Sequence, residues 1–189
     1  MLGREGFEYL LGFHAAPMFR GLKGGSLLSF RKSRFRDFDR LLASYEPCFR
    51  CKGISVFRVT EGEEYVLLLF YRRHVLERNL KRGLARKILQ QCGYREEDTL
   101  DQMLARLQAR MRLQKTFPHE IGLFLDYPPE DVEGFIAHRG RKFCCSGYWK
   151  VYANEAQTRM LFERYTDCTQ EFCQQLERGA SFQELILAV

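Results

Sequence analysis

Two runs of β-branched and aromatic residues, ISVFRVT (residues 54–60) and YVLLLFY (residues 65–71), are joined by the four residues EGEE. This is the clearest hairpin in the chain, and it commits part of the fold to an antiparallel sheet. The second run is also the longest apolar stretch. At strand length, it falls well short of the roughly 18 apolar residues that read as a membrane span.

The other periodic segments read mainly as helices. Phe7, Leu10 and Leu11 predict a helix over residues 4–13, which Gly12 and Pro17 would end. The glycine-rich GLKGGS (21–26) then leads into a short strand over 26–30, and FRDFDRLLASYE (35–46) reads as a helix ended by Pro47. Leu76, Leu80, Leu84 and Ile88 place one amphipathic helix from Arg73 to Gln91. Thr99 and Gln102 have capping-box spacing before the stripe Leu100, Met103, Leu104 and Leu107.

FPHEIGLFLDYPPEDVEGFI (117–136) reads as helix, turn, helix. Pro118 suits a first turn, Glu120 the positive end of the helix dipole, and Tyr127-Pro128-Pro129 breaks the chain before a helix that runs to Gly140. GYWKVY (147–152) alternates as a strand. Asn154 is placed to cap a long helix with Leu161, Tyr165, Cys168, Phe172 and Leu176 on one face, and Ser181 to cap a last turn. The expected class is α+β, with a small, mainly antiparallel sheet of about four strands packed by amphipathic helices. The 189 residues are expected as a single domain, sheet-rich over 1–72 and helical over 73–189 apart from the strand near 147–152.

Net charge is +6, but residues 20–87 hold 17 Lys and Arg against 7 Asp and Glu. An uneven balance of this kind suits either a polyanion partner or a well-solvated face. The first residues, MLGREGFEYLLGF, place Arg4, Glu5 and Glu8 among the apolar positions, unlike a signal peptide. Together with an odd count of seven cysteines, this points to reduced thiols and a cytoplasmic protein.

Individual motifs carry partial chemistry. His119-Glu120 begins like a zincin motif, yet Leu123 stands where the second histidine belongs. Cys48 and Cys51 form a lone CxxC without the second pair of a structural zinc site. GLKGGS has the glycines and lysine of a phosphate cradle, but it leads into a strand instead of a helix. Trp149, the only tryptophan, suits a core or a pocket wall.

The blocks His14-Ala15-Ala16-Pro17 with Lys23 downstream, Phe117-Pro118-His119-Glu120-Ile121-Gly122 and Gly147-Tyr148-Trp149-Lys150-Val151-Tyr152 carry a resemblance across nearly the whole chain. The sequence resembles an uncharacterised bacterial family, one of the numbered domains of unknown function, found mostly in anaerobic Gram-positive bacteria. Ala15 departs from the cysteine of that pattern. The resemblance brings no assigned reaction, but it implies that polar residues of the matching blocks share a pocket.

Three function classes stay open, and enzyme status with them. In the first, His14, Lys23, His119, Glu120, Trp149 and Lys150 bind an anionic small molecule or cofactor. In the second, the protein serves iron, haem or thiol redox chemistry, with Cys48, Cys51, His14 and His119 as ligands. In the third, the protein is a nucleic-acid-binding or regulatory module whose basic stretches 31–36 and 72–87 act on a polyanion through Arg31, Lys32, Arg34, Arg36, Arg78, Lys81, Arg82 and Arg86.

Overall fold

The computed structural model describes residues 3–113 and 117–188. In chain order its elements are α1 (Arg4–Phe19), β1 (Gly25–Arg31), α2 (Phe38–Ala43), α3 (Glu46–Cys51), β2 (Ile54–Glu61) and β3 (Tyr65–Arg72). Then come α4 (Arg73–Leu80), α5 (Gly83–Gln91), α6 (Leu100–Leu113), α7 (Ile121–Phe124) and α8 (Pro129–His138). A short hairpin, β4 (Cys145–Ser146) and β5 (Lys150–Val151), precedes α9 (Glu155–Glu177) and α10 (Phe182–Leu185). The class is α+β, with a helix-rich C-terminal half. No helix of the described residues is long and apolar enough to cross a membrane.

The chain divides into two compact units. A sheet unit takes the chain up to Arg73 and resumes at Tyr165, while a helical unit runs from His74 to Arg164.

In the sheet unit the strand order is β1-β3-β2, antiparallel throughout. The hairpin expected from sequence is the β2–β3 pair, with a bulge between Arg58 and Thr60. Central β3 buries Val66, Leu68 and Phe70 on one face and Leu69 and Tyr71 on the other, as its unbroken apolar run requires. The expected strand at 26–30 is present as β1.

Helix α1 lays Phe7, Leu11, Ala15 and Phe19 along one stripe, all fully buried. Their rings join an aromatic lattice: Phe7 meets Phe30 at 5.5 Å and Tyr45 at 5.3 Å, and Phe19 meets Phe70 at 6.1 Å and Phe182 at 5.3 Å. Edge-on and tilted contacts of this kind add to the burial of the rings themselves.

Neither Gly12 nor Pro17 ends α1, which continues to Phe19. Pro17 sits in the final turn, where it removes a single ladder bond, and Arg20 N–H to Ala16 O (2.8 Å) and Leu22 N–H to Pro17 O (2.8 Å) close the end. Gly12 serves packing instead: a Cβ there would lie 2.7 Å from the Phe172 ring. Pro47 likewise starts a helix, at the first turn of α3, so the expected helix over 35–46 is cut to α2.

Arg72, at the end of β3, is fully buried. Its guanidinium donates to four backbone carbonyls: Met18 (3.0 Å), Lys52 (3.0 Å), Phe19 (2.9 Å) and Leu187 (2.8 Å). The rigid fork thereby gathers the carbonyl end of α1, the end of α3 and the chain after α10. The basic stretch 72–87 therefore begins with a charge that no polyanion reaches.

In the helical unit the single helix expected over 73–91 is two, α4 and α5. The break falls at Lys81-Arg82, where Arg82 is extended and Gly83 takes a φ of +50°. The Thr99/Gln102 capping box forms reciprocally: the Thr99 N–H donates to Gln102 Oε1 (2.8 Å) and the Gln102 N–H to Thr99 Oγ1 (3.3 Å). GYWKVY yields only the two-residue strand β5, because residues 147–149 form the turn of the hairpin.

Candidate functional site

The helix-turn-helix expected at 117–140 is α7 and α8 joined through Tyr127-Pro128. Pro118 lies ahead of α7 and Glu120 is its N-cap residue. Glu120 does not simply face the helix dipole. It is 1% exposed, and its carboxylate accepts from Arg110 Nε at 2.5 Å and from the Tyr94 hydroxyl at 3.3 Å. With Glu120 drawn inward, the neighbouring His119 stays exposed, its ring 5.1 Å from Phe135.

Pro129 occupies the first turn of α8, and Asp131 follows in that turn, where the dipole favours a carboxylate. Asp131 is 2% exposed and organises the chain around β5. Its Oδ1 accepts from the Tyr152 N–H (2.7 Å) and the Ala153 N–H (3.0 Å), and its Oδ2 from Trp149 Nε1 (2.7 Å). The indole so held stacks on Tyr127 at 4.7 Å and meets Phe162 edge-on at 4.6 Å. Gly147 permits this turn, since a Cβ there would lie 2.4 Å from the Phe162 ring.

Lys150 follows Trp149 as the first residue of β5. Its ammonium donates to the Gly140 carbonyl at 2.8 Å and lies over the rings of Phe143 (4.9 Å) and Phe135 (5.8 Å). Contacts of this kind hold a cation beside apolar surface without neutralising it.

These residues surround a cavity of about 300 Å³, at the small end of ligand sites. Its walls come from residues 117–122, 127–135 and 146–150, with Phe117, Tyr127, Phe135, Tyr148 and Trp149 supplying the rings. Three of the sequence-predicted site residues, His119, Trp149 and Lys150, line it together. Glu120 does not, being engaged with Arg110. His14 and Lys23 belong to the sheet unit, where His14 is exposed with its ring 5.0 Å from Phe13, and Lys23 is half-buried. Asp131, Tyr127 and Phe135 are among the lining residues that the sequence did not single out as site residues.

Cys48 is half-buried and Cys51 exposed on α3. Among the described residues no group of three or more His, Cys, Asp or Glu is gathered as metal ligands. The basic stretches are partly occupied by acidic neighbours: Arg31 pairs with Glu64, Lys32 with Glu61 and Arg86 with Glu96. Arg34, Arg36, Arg78, Lys81 and Arg82 are exposed.

Behind the cavity segment, burial pushes the Tyr94 phenol far above its ordinary value near 10, and the Glu120 charge adds to the effect. Burial raises Tyr127 and Tyr152 as well, and lifts the Cys92 thiol above its ordinary 9. In each case the fold favours the neutral form. The stabilisation is complete below the unfolded value and fades as pH rises past it. The expected result is a urea midpoint that is steady up to about pH 9 and falls steeply above about pH 10. Part of the tyrosinate absorbance should appear only with unfolding. If all nine tyrosines ionise in the folded protein as one population near pH 10, the buried phenols are misplaced.

No curated protein and no solved structure matches the chain. A family model described as "Protein of unknown function (DUF3793)" matches residues 11–186, a span that includes every wall of the cavity, the whole helical unit and most of the sheet unit, and the chain belongs to that family.

Proposed function

We propose that the protein binds a small anionic molecule in the aromatic cavity of the helical unit, in the cytoplasm. The observation that carries this reading is the convergence of five aromatic side chains with Lys150 and His119 on one cavity of about 300 Å³. Apolar walls with few polar groups are what small-ligand sites are built from. The nearby carboxylate, Asp131, accepts from three N–H donors. It serves as a positioning residue for Trp149, and the geometry assigns it no acid or base role. The seven cysteines are free thiols, which suits a reducing compartment.

Native mass spectrometry of protein purified without oxygen, beside a His119→Ala variant, tests the reading. Trp149, as the only tryptophan, reports on the cavity by its emission. A co-purifying mass that the variant loses, or an emission change on adding small organic acids, supports the proposal. A clean apo mass in repeated preparations, with Trp149 emission unmoved by a panel of such acids, would overturn it.

A further inference from the structure

The cavity also limits the shape of its occupant. We infer that the ligand is a planar, two-ring aromatic acid, its rings packed among Tyr127, Phe135 and Trp149 and its acidic group on the Lys150 ammonium. This rests on the reading that the cavity binds an anionic small molecule, and it specifies the class.

Size is the first argument. A cavity of roughly 150 Å³ lined by apolar side chains encloses one benzene ring, and this one measures about 300 Å³. Two fused rings with one polar substituent fit such a space, whereas a dinucleotide does not. The walls are the second argument. Tyr127 stacks on Trp149 at 4.7 Å, Phe162 of α9 backs the indole edge-on at 4.6 Å, and Phe135 of α8 meets the His119 ring at 5.1 Å. A further aromatic ring adds to such an arrangement with the same offset or edge geometry.

Charge is the third. A lysine ammonium has three N–H donors, and the Gly140 carbonyl takes one. The Phe135 and Phe143 rings hold the ammonium in place without supplying a counter-charge. Asp131 is the opposing acid at the cavity wall. Its two oxygens accept from Trp149, Tyr152 and Ala153, and its place in the first turn of α8 offsets part of its charge. A cationic ligand would meet a Phe135 face already shared with Lys150 and, among the described residues, one lining carboxylate whose two oxygens already accept three hydrogen bonds.

Calorimetric titration with four probes tests the inference: a naphthalene carboxylate, its neutral amide, the matching trimethylammonium compound and the saturated decalin carboxylate. The carboxylate of naphthalene is expected to bind at least about tenfold more tightly than each of the other three. Lys150→Met should remove its advantage over the amide while leaving amide binding in place, and Lys150→Arg should restore it. The amide affinity of Lys150→Met also controls for folding of the variant.

Equal binding of acid and amide, or preference for the cation, overturns the charge assignment. Equal binding of the decalin acid overturns the aromatic one. Failure of all four probes overturns the class altogether. A co-purifying mass in native spectrometry would then still leave the cavity as a ligand site, so the two proposals fail separately.

Discussion

Replacing Arg72 with methionine should destabilise the sheet unit by about 3–5 kcal/mol, among the largest single-residue effects in the molecule. Methionine retains much of the apolar volume but none of the four donated hydrogen bonds. The loss is uneven across the acceptors. Met18 O and Phe19 O keep backbone donors, from Gly21 (3.1 Å) and Leu187 (3.0 Å) respectively, so the cost concentrates on the Lys52 and Leu187 carbonyls. A bond from a charged donor contributes about 1.5–3 kcal/mol, and an acceptor left buried without its donor costs about 1–3 kcal/mol. Lysine at this position carries the charge but not the planar fork, and should recover only part of the stability. Urea unfolding followed by circular dichroism measures both variants. A methionine variant within about 1 kcal/mol of the parent would show that the fork does not hold these segments together.

The second large effect is expected at Asp131. In Asp131→Asn, one carboxylate oxygen becomes an amide NH₂, while all three partners remain donors. If the remaining oxygen faces Tyr152 and Ala153, the NH₂ opposes the Trp149 indole N–H. If the amide flips, two backbone N–H groups lose their acceptor. Either way a cost of about 2–4 kcal/mol follows, with Trp149 released from its place in the cavity wall. The readout is twofold: a lower urea midpoint, and emission from the sole tryptophan shifted to the red as the indole meets water. An unshifted spectrum with an unchanged midpoint would mean that Trp149 is held by its ring contacts alone. Alanine at Gly147 makes a useful comparison, because it crowds the Phe162 ring from the same turn without touching Asp131.

Sequence reasoning succeeded where one local rule governs a segment. The run YVLLLFY reads as one strand of a hairpin and is β3, and the Thr99–Gln102 spacing produced the capping box it implies. It failed where one residue type serves two purposes. Pro17 and Pro47 were expected as terminators, yet one lies in the last turn of α1 at the cost of a single ladder bond, and the other opens α3, where the missing N–H has no helical partner to lose. The break at Gly83 was hidden because Leu76, Leu80, Leu84 and Ile88 keep a perfect spacing of four across it.

At the cavity, His119, Trp149 and Lys150 stood out from sequence because of their residue types and their place in the matching blocks. Asp131 did not. Its role depends on donors 18 to 22 residues away, and the sequence around it, Pro129-Glu130-Asp131, reads as an ordinary helix start. Glu120 misled for the converse reason: its partner Arg110 lies in a separate helix, and that pairing decides which way the carboxylate turns.

The clasp on Arg72 also sets an order of events during synthesis. Strand β3 and the end of α1 leave the ribosome early, but Leu187 and the Phe182 ring come only after the whole of residues 74–164. A nascent chain must therefore carry a nearly finished sheet whose guanidinium and aromatic lattice lack their last partners, while the helical unit is being made. Contacts that close over such a span are slow to form. Truncation ahead of Leu187 should consequently harm the N-terminal sheet far more than the helical unit nearer the cut, and the sheet unit is where a holding chaperone would have most to protect.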